Sequence, residues 1–348
     1  MLPTDLPMSA FLGKSALFYA GMNGAKTAKL YSSLDMGRRA GLNARAFVST
    51  LNSPRDGLDC LRINEGVPIP AKSVTNSQEI RGELSRLERL LFSREPSYIA
   101  EKIKDPTDGE EYILGKPIEV VGIDELHLLC LTPKQTEEML ELVDQCRKEG
   151  RAVFQAALLE DFRGSYFGGI DVILRRTDYG IPTYARCKVD LGEKHCGEPA
   201  THTHKLWNYK LLPPEMQSLL ADVPKVGWWT KNEKLIRGNH VVAPYFAPTV
   251  QIELRKNISD EEKQFVYIPS CNKCWRELPY TRETFSVYNA TFNGADSRNV
   301  LGNNPLTEAI VGFLISENWV KSKDGVLVPN PGYRNIIGGY SPHNGEGK

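Results

Sequence analysis

The sequence has no apolar run near the ~20 residues that a bilayer-spanning helix needs, and its first residues lack the long apolar core of a signal peptide. It also has no excess of charge of either sign, since 43 basic residues balance 43 acidic ones. These absences give no support for a membrane protein, or for bulk attraction to nucleic acid or anionic lipid. We expect a soluble, cytoplasmic protein, and 348 residues are enough for about two domains.

Cysteine is scarce, and its spacing is uneven. Of seven cysteines, four fall into two local pairs, Cys187 with Cys196 and Cys271 with Cys274. An odd number with local pairing favours a metal site in a reducing compartment over a disulfide framework. Four thiolates in two pairs suit tetrahedral Zn²⁺. The C-x-x-C pair is the stronger signal; in the looser pair a histidine could replace a cysteine, the candidates being His195, His202 and His204. Free buried cysteines are the alternative interpretation.

A glycine-containing turn, GMNGAKT at 21–27, lies between a predicted strand and a predicted helix. The pattern around it predicts strand, amphipathic helix and strand at 16–20, 28–41 and 44–50. This context is typical of a phosphate-binding loop, whose backbone amides face the phosphates from a helix N-terminus. Lys26 would reach the β and γ oxygens, and the Thr27 hydroxyl would bind Mg²⁺. An ordinary strand-to-helix turn is the alternative.

The spacing of this turn departs from the usual G-x-x-x-x-G-K-[ST] pattern. Glycine is expected at Ala20 and Ala25, whereas Gly21 and Gly24 each lie one residue away. Such loops use backbone angles that cost other residues roughly 1 kcal/mol or more. We therefore expect a weakened loop rather than an abolished one.

The central feature of the sequence is IEVVGIDELHLL at 118–129. A continuous run of β-branched residues predicts a strand buried on both faces, as in a parallel sheet covered by helices. It ends in Asp124 and Glu125, followed closely by His127. Adjacent carboxylates are costly to bury unless a metal ion, a proton or a cation meets them. A solvated acidic turn is the simpler alternative.

Other segments complete an α/β pattern. Helices are predicted at 77–92, 133–150 and 306–320, a further buried strand at 152–158, and loops at 52–71 and 92–115. Aromatic residues follow the strand at 152–158, including Phe162 and Phe167. They could stack on a planar base or pack beneath their own loop.

In combination these motifs resemble the type II thymidine kinases, the zinc-containing P-loop family. The resemblance covers about 16–71 and 117–274. The residues that carry it are AGMNGAKTAKLYSSLDMGRRAGLNARAFV, RINEGVPIPA, VVGIDELHLL, AALLEDFRGSYFG, THTHKL and YIPSCNKC.

The resemblance implies a P-loop NTPase-type parallel sheet flanked by helices, plus a small zinc-ribbon or lasso domain. It implies a kinase domain at 1–185 that carries an inserted helix and loop at 75–115. The zinc-binding lasso domain would follow at 186–279, with an insertion at 207–249. A C-terminal extension of unknown role would occupy 280–348.

The family's functional residues map onto this sequence. Glu125 would be the general base that takes the proton of the nucleoside 5′-hydroxyl, and Arg55 would stabilise phosphoryl charge, although Ser53 replaces the family's aspartate. ATP and Mg²⁺ would be held by Gly21, Asn23, Gly24, Ala25, Lys26, Thr27 and Asp124. Thymidine would be held by Met22, Leu128, Phe162, Thr203 and Tyr267. A structural Zn²⁺ would be held by Cys187, Cys196, Cys271 and Cys274.

The resemblance also implies a homo-oligomer, in this family commonly a tetramer, with no membrane or nucleic-acid partner. Several positions depart from the family: the loop alanines, His127 and Leu128 in place of Gln and Phe, and Ile252-Glu253-Leu254 in place of Ile-Gly-Gly. An alternative is therefore a weakened or inactive kinase fold that serves as an assembly module. A nucleic-acid-binding zinc protein is disfavoured, because no basic stripe accompanies the cysteines.

Overall fold

The protein, described from a computed structural model, forms two compact units. The first comprises Met1–Ala20, Ala25–Leu159 and Tyr166–Thr183, and the second comprises Gly21–Gly24, Glu160–Ser165 and Tyr184–Lys348. The structure describes residues 7–50, 60–61, 69–92, 102–104, 111–113, 118–162, 164–190, 192, 196–212, 214–219, 221, 225–230, 233–243, 259, 263–277, 320–323 and 326–329.

The first unit alternates strands and helices. Its elements are β1 (Ser15–Ala20), α1 (Lys26–Arg39), β2 (Asn43–Ser49), β3 (Cys60–Leu61), β4 (Ile69–Val74), α2 (Ser77–Phe92), β5 (Lys102–Lys104), β6 (Glu111–Ile113), β7 (Ile118–Asp124), α3 (Pro133–Lys148), β8 (Ala152–Leu158), α4 (Ile170–Arg176) and β9 (Tyr179–Pro182). Short 3₁₀ turns lie at Met8–Phe11 and Leu126–Leu129.

The sheet of the first unit has the strand order β3-β4-β2-β7-β8-β1-β9. All neighbouring pairs are parallel except β3 with β4. Every residue of β8 is buried, as expected for a strand covered on both faces. The predicted parallel α/β sheet flanked by helices is therefore confirmed. Parallel strands end at one edge, so β1 and β7 both end at the edge of the sheet where Asp124 lies.

Apolar layers cover both faces of this sheet. On the α1 face the buried residues include Phe18, Leu30, Leu34, Val120 and Phe154. On the α2 and α3 face they include Ile80, Leu84, Ile123, Met139 and Leu142. Gly122 allows α1 to approach β7, because a Cβ at this position would lie 2.6 Å from a methyl carbon of Leu34. This close packing fixes the distance between β7 and the second half of α1.

Helix α3 begins at the predicted residue, Pro133, and ends at Lys148, two residues before the predicted end. Thr132 and Gln135 form a reciprocal capping box, and Pro133 occupies the first helical position. Arg147 and Lys148 lie in the last turn, where they complement the helix dipole.

A buried carboxylate attaches α2 to the sheet. The Glu83 side chain is only 1% exposed and accepts hydrogen bonds from Arg45 of β2 at 3.2 Å and Lys72 of β4 at 2.7 Å. Arg86 donates two more, at 3.0 and 2.9 Å. Burial alone would raise the pKa of Glu83, but the hydrogen bonds from Arg86 and Lys72 outweigh it and lower this pKa to about 2. Glu83 therefore stays ionised and links α2 to two strands.

The second unit consists mainly of short antiparallel strands. Its elements are β10 (Ala185–Arg186), β11 (Pro199–Ala200), β12 (His202–Asn208), α5 (Pro214–Leu219), β13 (Trp228–Trp229), β14 (Leu235–Ile236), β15 (His240–Val242), β16 (Phe265–Ser270), α6 (Asn272–Glu277), β17 (Val320–Lys323) and β18 (Val326–Pro329). β12 lies between β15 and β16 in a three-stranded sheet, and the remaining strands form two-stranded ribbons.

Some sequence predictions differ from the structure. The prediction of a loop at 92–115 is partly wrong, because this segment contains β5 and β6, which pair antiparallel. The prediction of a loop at 52–71 is also partly wrong, because this segment contains β3 and the start of β4. The segment at 207–249 contributes the end of β12 and all of β15 to the three-stranded sheet. The predicted helix at 306–320 lies outside the described residues except for Val320, which begins a strand.

Across the described part of the chain, we find no helix of the length and apolar character required to cross a membrane.

Candidate active site and metal centre

The glycine turn keeps left-handed backbone angles at residues other than glycine. Ala25, the N-cap of α1, has φ 57° and ψ 21°, and Asn23 has φ 59°. A left-handed conformation costs an L-residue about 1–2 kcal/mol, although asparagine tolerates it better than most. Ala25 therefore has the strained geometry that glycine relieves at this position.

Ala25→Gly should raise the free energy of unfolding by about 1 kcal/mol, because the folded loop no longer has to hold an alanine at a positive φ. Ala40→Gly is a matched control, since Ala40 caps the other end of α1 at φ −77° and gains nothing from glycine. Thermal unfolding of the two variants and the wild type measures the effect. An Ala25→Gly variant no more stable than the wild type would contradict this account of the loop.

Thr27 and Asp124 meet at the start of α1 and the end of β7. The Thr27 hydroxyl lies 3.1 and 3.0 Å from the two carboxylate oxygens of Asp124. Burial raises the pKa of Asp124 to about 7, and the neighbouring Glu125 acts in the same direction. A hydroxyl and a carboxylate in contact are the donor set with which P-loop proteins hold Mg²⁺. These two residues therefore fit a magnesium site.

Lys26 is buried beside the same carboxylates. Burial lowers the pKa of its ammonium group, while the charges of Glu125 and Asp124 act in the opposite direction. One buried cation thus faces two acidic side chains at the N-terminus of α1. The predicted triphosphate-binding lysine and both predicted carboxylates belong to one cluster of charges in the first unit.

Glu125 also has a left-handed backbone, with φ 52° and ψ 39°. It lies at the turn from β7 into the 3₁₀ segment, where its N–H donates to Asp124 Oδ1 at 3.0 Å. Its side chain is 19% exposed, whereas Asp124 is 4% exposed. Non-glycine residues in this conformation are concentrated at functional sites. The turn gives two consecutive carboxylates different surroundings, one bound to Thr27 and one more accessible to solvent.

The predicted thymidine-binding residues are divided between the units. Leu128 lies half-buried in the first unit. In the second unit, the Met22 N–H donates to Thr203 Oγ1 at 2.9 Å. Phe162 and Tyr267 surround one ammonium group, as described next. Their roles in binding remain predictions, and the predicted phosphate-stabilising Arg55 lies outside the described residues.

Lys205 is a prominent residue that the motifs did not indicate. It is fully buried in β12, and its Nζ lies 5.6, 5.0 and 5.5 Å from the ring centroids of Phe162, Phe265 and Tyr267. These distances are typical of cation–π contacts. Two features could have indicated Lys205 as a site residue. It lies two residues from Thr203, on the same face of β12, and its cross-strand partner is Tyr267.

The four paired cysteines converge in the second unit. Their sulfur atoms all lie within 4.8 Å of one another, with Cys196 Sγ at 3.8 Å from Cys271 Sγ and 3.6 Å from Cys274 Sγ. Zn–S bonds of about 2.3 Å in a tetrahedron place the sulfurs about 3.8 Å apart. The cluster therefore fits a structural zinc ion without any change of ligand.

Burial raises the pKa of the Cys187 thiol to about 11, so zinc binding would release the proton of this thiol. Among the histidine alternatives, His202 instead contacts Glu160, with 3.1 Å between Nδ1 and Oε2. His204 is buried and interacts with the backbone of Cys274. His195 lies outside the described residues.

Comparisons with known proteins give limited matches. The chain matches no protein-family model. Among solved structures, the cytoplasmic domain of the Thermomonospora curvata type VII secretion ATPase EccC is 11% identical, with a TM-score of 0.32 over 68% of this chain and 24% of that one. A TM-score this low establishes no shared fold.

One curated relative is a thymidine kinase from Coprothermobacter proteolyticus. It is 33% identical over 105 residues, which is 30% of this chain and 47% of that enzyme. The chain thus matches about half the length of this relative. Part of the chain is therefore similar to a thymidine kinase, and the four-cysteine cluster independently fits a structural zinc site.

Proposed function

We propose that the protein is a thymidine kinase-like phosphotransferase, which transfers the γ-phosphate of ATP to the 5′-hydroxyl of thymidine or a related deoxynucleoside. The observation that carries this proposal is the turn at the end of β7. There Asp124 contacts Thr27, the next residue is a strained and partly accessible Glu125, and Lys26 lies beside both carboxylates. The sequence similarity to a thymidine kinase supports the same class of reaction.

Phosphoryl transfer requires positioning and charge neutralisation more than covalent catalysis by the protein. Lys26 and the amides at the start of α1 would bind the triphosphate. Thr27 and Asp124 would hold Mg²⁺, which when bound neutralises charge on the phosphates. Glu125 would accept the 5′-hydroxyl proton as the nucleoside oxygen bonds to the γ-phosphorus and the bond to the ADP oxygen breaks.

The base of the nucleoside would be recognised by residues of the second unit. In this proposal Phe162 stacks on the base and Thr203 and Tyr267 lie beside it. Thr203 on β12 and Phe162 are buried, and Tyr267 on β16 is partly buried, so packing holds all three side chains in place. The preference for thymidine over other deoxynucleosides rests on the sequence resemblance and is tested directly by the assay.

The assay follows transfer of labelled phosphate from ATP to thymidine, with deoxyuridine, deoxycytidine and deoxyadenosine as competing acceptors. We expect Mg²⁺-dependent formation of a 5′-monophosphate. Lys26→Ala, purified in the same way, controls for contaminating kinases, and it should lose both ATP binding and transfer. If the wild type phosphorylates no deoxynucleoside, the proposal is wrong, and the alternative of a non-catalytic assembly module is favoured.

A further inference from the structure

His127 is buried against the turn that carries Glu125. It lies in the 3₁₀ turn Leu126–Leu129, and its ring packs edge-on against Phe167 with 4.6 Å between centroids. The N–H of Leu158, the last residue of β8, donates to His127 Nδ1 at 3.2 Å. The histidine is therefore held between the 3₁₀ turn and the end of a buried strand.

The contact with β8 fixes the tautomer of His127. A backbone N–H can only donate, so Nδ1 must accept and carry no proton. Burial lowers the pKa of His127 to about 4, although Glu125 acts in the opposite direction. In the resulting neutral ring, the single proton is on Nε2.

The protonated nitrogen faces the predicted base. His127 Nε2 lies 3.4 Å from Glu125 Oε2, a long approach for a hydrogen bond. Catalytic hydrogen bonds are often long without substrate and shorten in the reactive complex. Because the ring is held by Leu158 and Phe167, movement of the Glu125 carboxylate is what would close this distance.

We propose that His127 is a positioning residue for Glu125, holding Oε2 through a neutral Nε2–H so that Oε1 receives the proton of the acceptor hydroxyl. This inference rests on the proposed function. This geometry explains how histidine can occupy position 127, where the type II thymidine kinases that the sequence resembles have glutamine. Both side chains can accept a hydrogen bond from a buried N–H and donate one to a carboxylate.

Two substitutions of His127 by amide residues distinguish a role in positioning Glu125 from a role in packing alone. In His127→Gln, the amide nitrogen can replace Nε2 and donate to Glu125. In His127→Asn, the shorter amide can replace Nδ1 and accept from Leu158, but it cannot reach Glu125. We expect His127→Gln to retain wild-type kcat within about threefold. His127→Asn should lower kcat about 10- to 100-fold, with KM for ATP and nucleoside nearly unchanged.

Equal losses of kcat in the two variants, or none in either, would overturn the positioning role. Thermal unfolding of both variants shows whether a fall in kcat merely follows loss of the fold. A parallel rise in KM would also count against positioning.

A second readout does not depend on activity. In the full-length protein labelled with ¹⁵N-histidine, only six histidines contribute signals, and His127→Gln identifies those of His127. We expect a proton on Nε2 and none on Nδ1 at neutral pH, with the Nε2 signal moving in Glu125→Gln. A proton on Nδ1, or an unmoved signal, overturns the contact. A wild type without kinase activity overturns the proposed function, while this spectrum still decides whether His127 holds Glu125.

Discussion

Glu125→Gln is expected to lower kcat for phosphoryl transfer by about 10²–10⁴-fold while ATP affinity barely changes. Glutamine keeps the size and hydrogen-bonding shape of the side chain but cannot take the proton of the 5′-hydroxyl. Such a loss corresponds to about 3–5 kcal/mol of transition-state stabilisation. ATP affinity should persist because Lys26, Thr27 and Asp124, which would hold the triphosphate and Mg²⁺, are unchanged.

The control is Glu137→Gln, which makes the same chemical change on the exposed surface of α3. It should leave kcat and KM at their wild-type values. Steady-state rates with saturating ATP, together with ATP titration calorimetry, separate the chemical step from binding. An active wild type whose Glu125→Gln variant is equally fast would show that Glu125 is not the base.

Loss of the zinc ligands should have the largest effect on folding. The double variant Cys271→Ser/Cys274→Ser removes half of the cysteine cluster, and structural zinc contributes about 10–16 kcal/mol to the folding of small metal domains. We expect the wild type to bind one equivalent of zinc and the variant to lose both the metal and the fold of the second unit. All five tryptophans belong to that unit, so their fluorescence reports its unfolding.

Cys146→Ser is the control, since Cys146 is buried in α3 and is not one of the four clustered cysteines. It should keep the full zinc content. The zinc content of each protein is measured by mass spectrometry. A wild type with less than about half an equivalent of zinc, and a double variant with the same content, would rule out the zinc site.

The sequence predicts most of the sheet because its strands follow strong rules. β1, β7 and β8 are short and mostly apolar, which is typical of strands covered on both faces. α3 carries its own start and stop signals. β4 lacks such a pattern: its sequence IPAKSV contains a proline and two polar residues, so pairing with β2 and β3 decides its structure.

The candidate site is predictable only where a motif spans neighbouring residues. Lys26, Thr27, Asp124 and the four cysteines follow from spacing within short segments. The environment of Lys205 does not, because its three aromatic neighbours come from β16 and from the segment after β8. The sequence shows His127 close to the two carboxylates and in place of a glutamine, but its tautomer follows from the N–H of Leu158. Contacts between distant segments carry this information.

The buried Glu83 makes the attachment of α2 sensitive to acid. Its pKa is about 2 in the folded protein against an ordinary value of 4.5, so its stabilising contribution is complete above about pH 4.5 and is lost as the pH falls towards 2. A shift of this size corresponds to about 3 kcal/mol. Protonation would also leave Arg45, Lys72 and Arg86 facing one another without a counter-charge. In acid, α2 should therefore detach from the sheet before α3, whose ion pair from Arg147 to Asp178 is more exposed than the Glu83 cluster.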